Sequence, residues 1–477
     1  MRDAEDAAFA RGISAETLMD KAGAGIADFV RQFFPCAGRC LVFAGKGNNA
    51  GDAVVAALHL RRGGWETEIR LAFSESECGE LLRKKLAEYG AAVERTAAHS
   101  SAPLIMLDGL LGLGSKPPLR EPVKKLAREI NALRTAENAY VFAIDLPSGL
   151  DGDSGICDED CVVSDFTATI GAAKRGLVAD QAINFVGRLG IVPLPELELP
   201  SADETIACAA SLRGLLPRRE FSAYKNQFGR IGIVAGSRGL SGAALLSAAG
   251  ALHGGAGLVR VFVLEDIYEI VASAAPAEAM IQPVESYDAL ETESVAVWAV
   301  GPGLGRSHAP SILRLIQRAA EPMVIDADAL NILSTDTNIL KNCAAPRLLT
   351  PHPGEMKRLA GDEKYTRAEL ARKFTREFPV TLLLKGSRTV VAENRTGLSY
   401  NTTGNPGMAT GGMGDALTGV CAALIGQKLS LFDAARLGAW VCGRAAELAI
   451  YNGSASEQSL LARDVIENLG RAFREVQ

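Results

Sequence analysis

Short apolar segments alternate with helix-forming segments along almost the whole of this 477-residue chain. Examples are RCLVFAG (39–45), which precedes the helical run AVVAALHLRRGG, and PLIMLDGLLG (103–112), which precedes VKKLAREINAL. Parallel strands need long crossovers, usually helices, so this order predicts parallel sheets covered by helices on both faces. The 49 glycines and the low aromatic fraction of 6% fit the many turns of such an α/β protein.

One stretch interrupts this alternation. PLPELELPSADE (193–204) is rich in proline and acidic residues and has no apolar period, so it is typical of a linker. Strand-like segments resume at GRIGIVAGS (229–237) and continue to VTLLLKG (380–386). Because the chain is also too long for one ordinary core, we predict two α/β domains, 1–205 and 206–477.

Charge and composition exclude several classes of protein. A net charge of −6 argues against a nucleic-acid partner, which would require a basic face. The N-terminus, MRDAEDAAFARG, lacks the pattern of a signal peptide, and no apolar run approaches the ~20 residues that cross a bilayer. The nine cysteines lack the C-x2-C spacing of a zinc site and are expected to be reduced. We therefore expect a cytoplasmic enzyme with no membrane partner.

The first motif with chemical potential is GKGNNAGD (45–52), between a strand and a helix. Glycines there let backbone amides approach a phosphate at a helix start. Their positions match the G-x-G-x-x-G fingerprint poorly, so a purely structural turn remains open. However, Asn48, Asn49 and Asp52 place polar groups at the carboxyl end of a strand, where open α/β sheets bind ligands.

Two further strand ends carry matching polar groups. Asp108 ends PLIMLD, and Asp145 and Ser148 lie in AIDLPSG. Oxygens from Asn49, Asp108 and Ser148 would meet at one sheet edge, and an all-oxygen set suits a hard cation. Alternatively, each Asp caps a helix or forms an Asx turn. Three polar strand ends in succession favour a site.

These segments, with LMDKAG (18–23), LDGLLGLG (107–114) and DLPSGLDGDSG (145–155), resemble the NAD(P)H-hydrate epimerase domain over about residues 1–200. The resemblance implies a Rossmann-like three-layer sandwich that interconverts the R and S forms of hydrated NAD(P)H. It implies a potassium ion at Asn49, Asp108 and Ser148, and Asp145 as the acid/base residue, because epimerising a hemiaminal carbon requires proton transfers. The implied substrate residues are Asn48, Asn49, Ala50, Gly51, Asp52, Gly112, Leu113, Gly114, Ser115, Lys116, Pro117, Pro118 and Asp145.

Two residues depart from that family's pattern. Ala50 and Ala53 stand where the family usually has glycine, and each is expected to add a methyl group beside the substrate. The departure keeps open the alternative that the N-terminal domain is a non-catalytic binding or assembly module.

The second motif is GNPGMATGGMGD (404–415), which leads into the helical segment ALTGVCAALIG. Gly411, Gly412 and Gly414 would expose successive amides as an anion site at a helix start. Asp415 follows directly, which suits phosphoryl transfer: the amides neutralise the moving group while Asp415 takes the acceptor's proton. A loose loop with Asp415 as a helix cap is the alternative. The P-loop sequence G-x-x-x-x-G-K-[ST] does not occur, which excludes a P-loop kinase.

Four other strand ends offer partners for this motif. They are GPGLGRS (301–307), DADALN (326–331), TPHPGE (350–355) and KGSR (385–388). DADALN offers Asp326, Asp328 and Asn331. His352 and the two cations of KGSR could contact substrate and phosphates. A helix-start role for His352 and a solvated turn for Lys385 remain open alternatives.

These loops, with KNQFGRIGIVAGS (225–237) and SGAALLSAAGALHGGAGLV (241–259), closely resemble the ADP-dependent NAD(P)H-hydrate dehydratase over about residues 212–470. The resemblance implies a ribokinase-like fold. The implied substrate residues are Ala243, Gly303, His352 and Asp415. The nucleotide is expected at Lys385, Gly386, Ser387, Arg388, Thr389, Gly411, Gly412 and Gly414.

Together the two resemblances imply a bifunctional repair enzyme. The first domain would equilibrate the epimers, and the second would use ADP to phosphorylate the S-form hydroxyl, so that loss of phosphate restores NAD(P)H. Potassium, magnesium and the co-substrate ADP are the expected cofactors, and a homo-oligomer is expected. The principal alternative is an ATP-dependent vitamin or sugar kinase with a non-catalytic N-terminal domain, which would accumulate a phosphate ester. A nicotinamide dehydrogenase is a third.

Overall fold

The computed structural model describes residues 1–92, 102–288, 290–361 and 364–477. The chain divides into two compact units, Met1–Ser201 and Ala202–Gln477. Both are α/β structures, as the alternating sequence predicts. Within the described ranges, no helix combines the length and apolar character needed to span a membrane.

The first unit is built on a parallel sheet. Its strands are β1 (Arg39–Ala44), β2 (Glu66–Leu71), β3 (Leu104–Gly109), β4 (Tyr140–Ile144), β5 (Phe166–Ile170) and β6 (Arg188–Val192). Its helices are α1 (Arg2–Ala10), α2 (Ala15–Phe33), α3 (Asn48–Arg62), α4 (Glu80–Ala91), α5 (Val123–Ala136) and α6 (Ile183–Val186). The strand order in the described residues is β2-β1-β3-β4-β5-β6, and every pairing is parallel. The carboxyl ends of β1, β3 and β4 therefore lie side by side.

The first unit starts with two helices that are separated at Gly12. The chain leaves α1 through Gly12, whose φ of +86° is readily adopted only by glycine. Helix α2 then begins after Ser14, whose hydroxyl accepts a hydrogen bond from the Thr17 amide at 3.1 Å. The buried face of α2 carries Phe29 and Phe33 onto the sheet. The first ~30 residues therefore form two helices.

The second unit contains a larger, mixed sheet. Its strands are β7 (Glu204–Ala207), β8 (Arg230–Val234), β9 (Leu258–Leu264), β10 (Ala279–Val284), β11 (Val297–Val300), β12 (Met323–Ile325), β13 (Arg347–Leu349), β14 (Thr381–Leu384), β15 (Thr389–Glu393) and β16 (Gly397–Asn401). Its helices are α7 (Ala209–Leu212), α8 (Ser241–His253), α9 (Glu265–Ala274), α10 (Ala309–Arg318), α11 (Ala327–Leu333), α12 (Pro353–Ala360), α13 (Arg367–Glu377), α14 (Met413–Gly426), α15 (Leu431–Tyr451) and α16 (Ala462–Arg474).

The strand order in the described part of this unit is β10-β9-β8-β11-β12-β13-β14-β15-β16-β7. Strands β14, β15 and β16 pair antiparallel, and the other pairings are parallel. The carboxyl ends of β8 and of β11 to β14 consequently meet at one edge. Strand β7 pairs with β16, so the boundary suggested after residue 205 falls inside a strand of the second unit.

Helix α14, which carries the second glycine-rich motif, is buried along most of its length and packs closely against α8. Glycines make this close approach possible. A Cβ on Gly419 would lie 2.0 Å from the Ser247 carbonyl oxygen, and one on Gly250 would lie 2.3 Å from that of Ala416. The packing fixes the helix start at the sheet edge.

Candidate active sites

The first unit has a cavity of about 560 Å³ at the carboxyl edge of its sheet. Of the residues expected there, the cavity is lined by Asn48, Asn49, Asp52, Gly112, Leu113, Gly114, Ser115 and Asp145. The remaining expected residues, Ala50, Gly51, Lys116, Pro117 and Pro118, are not among its lining residues. The loops after β1, β3 and β4 thus converge on one cavity.

Asn49, Asp108 and Ser148 form a connected polar cluster beside this cavity. The Asp108 carboxylate accepts hydrogen bonds from the Ser148 hydroxyl (2.7 Å) and the Ser148 amide (2.8 Å). The Asn49 side-chain amide donates to the Leu111 carbonyl at 2.8 Å, and the Leu111 amide donates to the Ser148 hydroxyl at 3.0 Å. The structure therefore brings together the three residues expected to hold potassium.

Two oxygen-bearing groups of this cluster, the Asn49 side-chain amide and the Asp108 carboxyl, are suited to binding a cation. Asn49 Oδ1 is buried and accepts no hydrogen bond from the described residues. Asp108 is fully buried, and burial raises the pKa of its carboxyl to about 6, although hydrogen bonds from Ser148 and Leu110 lower it. A hard cation with oxygen ligands would compensate both groups. Elsewhere in the described ranges, too, no cluster of three or more His, Cys, Asp or Glu side chains is arranged for a metal.

Asp145 is held in an unusual conformation at the cavity wall. Its φ of +67° is rare for a residue other than glycine and is often found at functional sites. Its Oδ1 accepts hydrogen bonds from the Lys174 ammonium, the Ile170 amide (3.1 Å) and the Thr169 hydroxyl (3.3 Å). None of the described residues donates to Oδ2, which leaves that oxygen for a ligand.

Sequence reasoning missed three charged residues of this cavity: Glu5, Lys174 and Lys46, which lies just before the expected Asn48. Lys174 follows β5, is 8% exposed and forms an ion pair with Asp145. Glu5 comes from α1, which contributes part of the cavity wall. The lysine could have been noticed as a lone cation just after a strand end, but nothing in the local sequence near Glu5 indicates a site.

The expectation that the methyl groups of Ala50 and Ala53 lie beside the substrate is wrong. Both are fully buried. Ala50 packs with Ala44, Val54 and Leu82, and the methyl of Ala53 lies against the backbone of Gly109. Neither methyl group adjoins the cavity, because the helical turn directs both toward the core. The departure from glycine therefore does not obstruct the site.

In the second unit, the residues that follow β12 and β14 meet the start of α14. Asp326 follows β12 and is 1% exposed. Its Oδ1 accepts a hydrogen bond from the Lys385 ammonium at 2.6 Å, and its Oδ2 accepts one from the Thr418 hydroxyl at 2.8 Å. The lysine after β14 and the helix that carries Asp415 are thus both held by one buried carboxylate.

The surroundings of Lys385 favour the positively charged form of its side chain. Burial lowers the pKa of its ammonium group, but the carboxylates of Asp326, Glu355 and Asp415 outweigh burial, and the net pKa is raised. A Cβ on Gly414 would lie 3.3 Å from Lys385 Nζ. Lys385 is therefore a fixed cation beside the glycine-rich motif, and not a solvated turn residue.

Asp415 is the third residue of α14 and is half-buried. Burial and the neighbouring Asp326 raise the pKa of its carboxyl to about 6, while Lys385 opposes the shift. A carboxylate with this pKa is ionised at neutral pH and is more basic than an ordinary aspartate. It suits a general base.

The glycine-rich loop approaches Asp415 through Gly412, whose φ is +88°. Gly411 faces open space, because a Cβ there would contact nothing within 4 Å. At the other end of the loop, the Gly404 amide donates to the buried carboxylate of Glu447 at 2.9 Å. The loop is anchored at its start and leaves the first amides of α14 accessible to an anion.

The other expected residues lie at the same edge but differ in their contacts. A Cβ on Gly303 would lie 2.8 Å from that of Ala243, so these two are neighbours. His352 caps α12: its Nδ1 accepts hydrogen bonds from the Gly354 (2.9 Å) and Glu355 (3.4 Å) amides. The helix-start alternative thus describes the observed contacts of His352, whose ring remains half-exposed.

The turn at residues 385–389 joins the antiparallel strands β14 and β15. The Thr389 hydroxyl donates to the Gly386 carbonyl at 3.0 Å, which closes the turn. Arg388 is only 3% exposed, and its guanidinium donates to the Ser387 carbonyl. Of the two cations expected to meet phosphates, Arg388 is therefore turned inward and Lys385 lies at the site.

Comparison with known proteins agrees with this division. Residues 231–469 match the family model described as NAD(P)H-hydrate dehydratase, and residues 15–176 match that described as YjeF-related protein N-terminus. The chain is 35% identical to a bifunctional NAD(P)H-hydrate repair enzyme of Moorella thermoacetica over 96% of its own length and 92% of that protein. It is 32% identical to one of Coxiella burnetii, with coverages of 98% and 97%.

A solved structure supports the fold of the second unit. The ADP/ATP-dependent NAD(P)H-hydrate dehydratase of Bacillus subtilis, co-crystallised with ATP and Mg²⁺, matches with a TM-score of 0.51 and 28% identity. The match covers 57% of this chain and 99% of that one. A ribokinase-like superfamily protein of Enterococcus faecalis also matches, with a TM-score of 0.50 and 25% identity over 59% of this chain and 99% of that one. The ribokinase-like expectation for this unit is confirmed.

Proposed function

This chain belongs to the family of bifunctional NAD(P)H-hydrate repair enzymes, and from that premise we propose a reaction for each unit. The first unit interconverts the R and S forms of hydrated NAD(P)H. The second dehydrates the S form with ADP, giving NAD(P)H, AMP and phosphate. The observation that carries the proposal is the placement of Asp415 at an open helix start beside the Asp326–Lys385 ion pair.

The second unit's reaction follows from these groups. Asp415 accepts the proton of the S-form hydroxyl as its oxygen attacks the terminal phosphorus of ADP, and AMP leaves. The amides at the start of α14 and the Lys385 ammonium neutralise charge on the moving phosphoryl group. The phosphate ester then breaks its carbon–oxygen bond while the adjacent carbon loses a proton, which restores the dihydropyridine ring. Phosphate leaves more readily than hydroxide, so phosphorylation is what makes dehydration feasible.

The first unit acts on the same hydroxyl-bearing carbon. Asp145 Oδ2 accepts the hydroxyl proton, and the ion pair with Lys174 orients this carboxylate through Oδ1. The cavity holds the substrate along Asn48 to Asp52 and Gly112 to Ser115. Because the methyl groups of Ala50 and Ala53 face the core, the argument for a non-catalytic first unit loses its basis.

Two metal ions belong to this proposal. Potassium would be held by Asn49, Asp108 and Ser148, where it would supply a fixed positive charge next to the substrate site. Magnesium would arrive with the nucleotide and be held mainly by phosphate oxygens, since the described residues of the second unit offer no acidic cluster for it.

The cellular location, the partners and the oligomeric state of the protein are also proposals. Nine free cysteines support a reducing, cytoplasmic location, and the net charge of −6 supports the expectation of no nucleic-acid partner. A homo-oligomer remains a prediction.

The test is a product balance. The purified chain is incubated with hydrated NADH, ADP and Mg²⁺, and dihydronicotinamide, AMP and phosphate are measured. We expect the three to appear in equal amounts. The kinase alternative instead predicts a stable phosphate ester, and its accumulation without dihydronicotinamide would contradict the proposal.

A further inference from the structure

We propose that Asp52 is a second catalytic residue of the first unit, which transfers a proton to the ring nitrogen while Asp145 accepts one from the hydroxyl. The inference rests on the proposed epimerase activity. It assigns the two carboxyl groups of one cavity to opposite proton transfers.

The positions of the two carboxyl groups support this division. Asp52 lies in the second turn of α3 and Asp145 follows β4, and both line the same cavity. Asp145 is held through Oδ1 by three donors. By contrast, the described residues give Asp52 no hydrogen bond and no ion pair, and it does not cap α3, which begins after Gly47 without a side-chain cap. A half-buried carboxyl that lines a cavity and has no structural partner indicates a functional role.

The surrounding charges distinguish the protonation states of the two groups. Burial, the Asp145 carboxylate and the Glu5 carboxylate raise the pKa of Asp52 well above its usual value, and Lys174 only partly offsets them. Lys174 forms its ion pair with Asp145. Two neighbouring carboxyl groups do not readily ionise together, and Lys174 pairs with Asp145 and not with Asp52, so Asp52 is the group assigned as the acid.

The proposed step balances without any further reactant. Asp145 takes the hydroxyl proton, and the oxygen's electron pair forms a carbonyl at the hydroxyl-bearing carbon. The bond from this carbon to the ring nitrogen breaks, and the nitrogen takes the proton of Asp52. Rotation about the adjacent carbon–carbon bond presents the other carbonyl face, and the reverse transfers close the ring as the other epimer. Nothing is oxidised or reduced.

The experiment follows epimerisation of R-form hydrated NADH by the full chain as a function of pH, without ADP. The proposed acid predicts an alkaline limb, where the rate falls as Asp52 ionises. Asp52→Asn should lower kcat by at least about 100-fold, leave KM within a few-fold and abolish the limb, whereas Asp52→Glu should restore part of both. Asp28→Asn, which alters a surface residue of α2, is the control and should match the wild type.

Glu5→Gln supplies a test that does not depend on the folding of Asp52→Asn. Removing this negative charge lowers the pKa of Asp52, so the alkaline limb should move to lower pH. An unmoved limb, an unchanged kcat in Asp52→Asn, or an effect on KM alone would overturn the role of Asp52. If the wild-type chain itself does not accelerate epimerisation, the proposed function of the first unit fails instead.

Discussion

Asp415→Asn should inactivate dehydration and at the same time stabilise the second unit. The carboxyl has a pKa of about 6, against 3.8 for an ordinary aspartate. Because the folded state binds this proton more tightly, the group favours folding at low pH, and that contribution is lost as the pH rises through about 6. A shift of about 2 units at ~1.4 kcal/mol per unit makes the ionised carboxylate cost about 3 kcal/mol at neutral pH. The isosteric amide removes this cost.

The variant is therefore expected to lose about 10²- to 10⁴-fold in the ADP-dependent rate, while the free energy of unfolding at pH 7 rises by about 1–3 kcal/mol. Dihydronicotinamide recovery from the S form and urea unfolding measure the two effects. Wild-type kcat/KM should also fall about tenfold per pH unit below about pH 6, as Asp415 becomes protonated.

Asp464→Asn is the matched control. Asp464 is also the third residue of its helix, α16, but its carboxylate accepts a hydrogen bond from the Leu461 amide at 2.7 Å. Its substitution should cost about 1 kcal/mol and leave dehydration unchanged. If Asp415→Asn kept activity within tenfold of the wild type, or lost it together with stability, the role of Asp415 as a base would be refuted.

Three other perturbations test the two sites. Asp145→Asn should abolish epimerisation and leave dehydration of the S form intact in separate epimer assays; an unchanged epimerisation rate would remove Asp145 from the mechanism. Lys385→Met should destabilise the second unit by about 3–5 kcal/mol, because it leaves Asp326 buried without its cation. It should also move the acid limb of dehydration to higher pH, because Lys385 lowers the pKa of Asp415. An unmoved limb would contradict this electrostatic coupling between Lys385 and Asp415. Replacing potassium with tetramethylammonium should lower the melting temperature of the first unit in the wild type. The same replacement should have no effect in Asn49→Ala, which lacks a proposed ligand. Equal melting temperatures of the wild type in both salts would contradict the cation site.

Much of the fold could be predicted because buried parallel strands are short apolar runs. The segments around β1, β3, β8 and β14 are recognisable for this reason. Strand β10 was missed because it contains Pro283 and lies at the sheet edge with partial exposure. Strand β7 begins at Glu204, the last residue of the acidic linker, and could not be predicted because its partner β16 lies almost 200 residues away.

The sites were predictable to the extent that their residues follow strands. Strand ends identified Asp108 and Asp145, because parallel topology brings such ends together, whereas the glycine-rich motif before α14 identified Asp415. Glu5 could not be found in this way, since α1 contacts the cavity only through tertiary packing. Their spacing of three residues predicts that Ala50 and Ala53 share one face of α3, but only the tertiary packing shows that this face is turned to the core.

The most direct test of two cooperating sites is the fate of pure R-form hydrated NADH with the purified chain, ADP and Mg²⁺. We predict complete recovery of dihydronicotinamide absorbance by the wild type, and none by an Asp145→Asn variant beyond the uncatalysed rate. Recovery from the R form by the wild type at no more than the uncatalysed rate would show that the first unit contributes no epimerisation, and would contradict the bifunctional account.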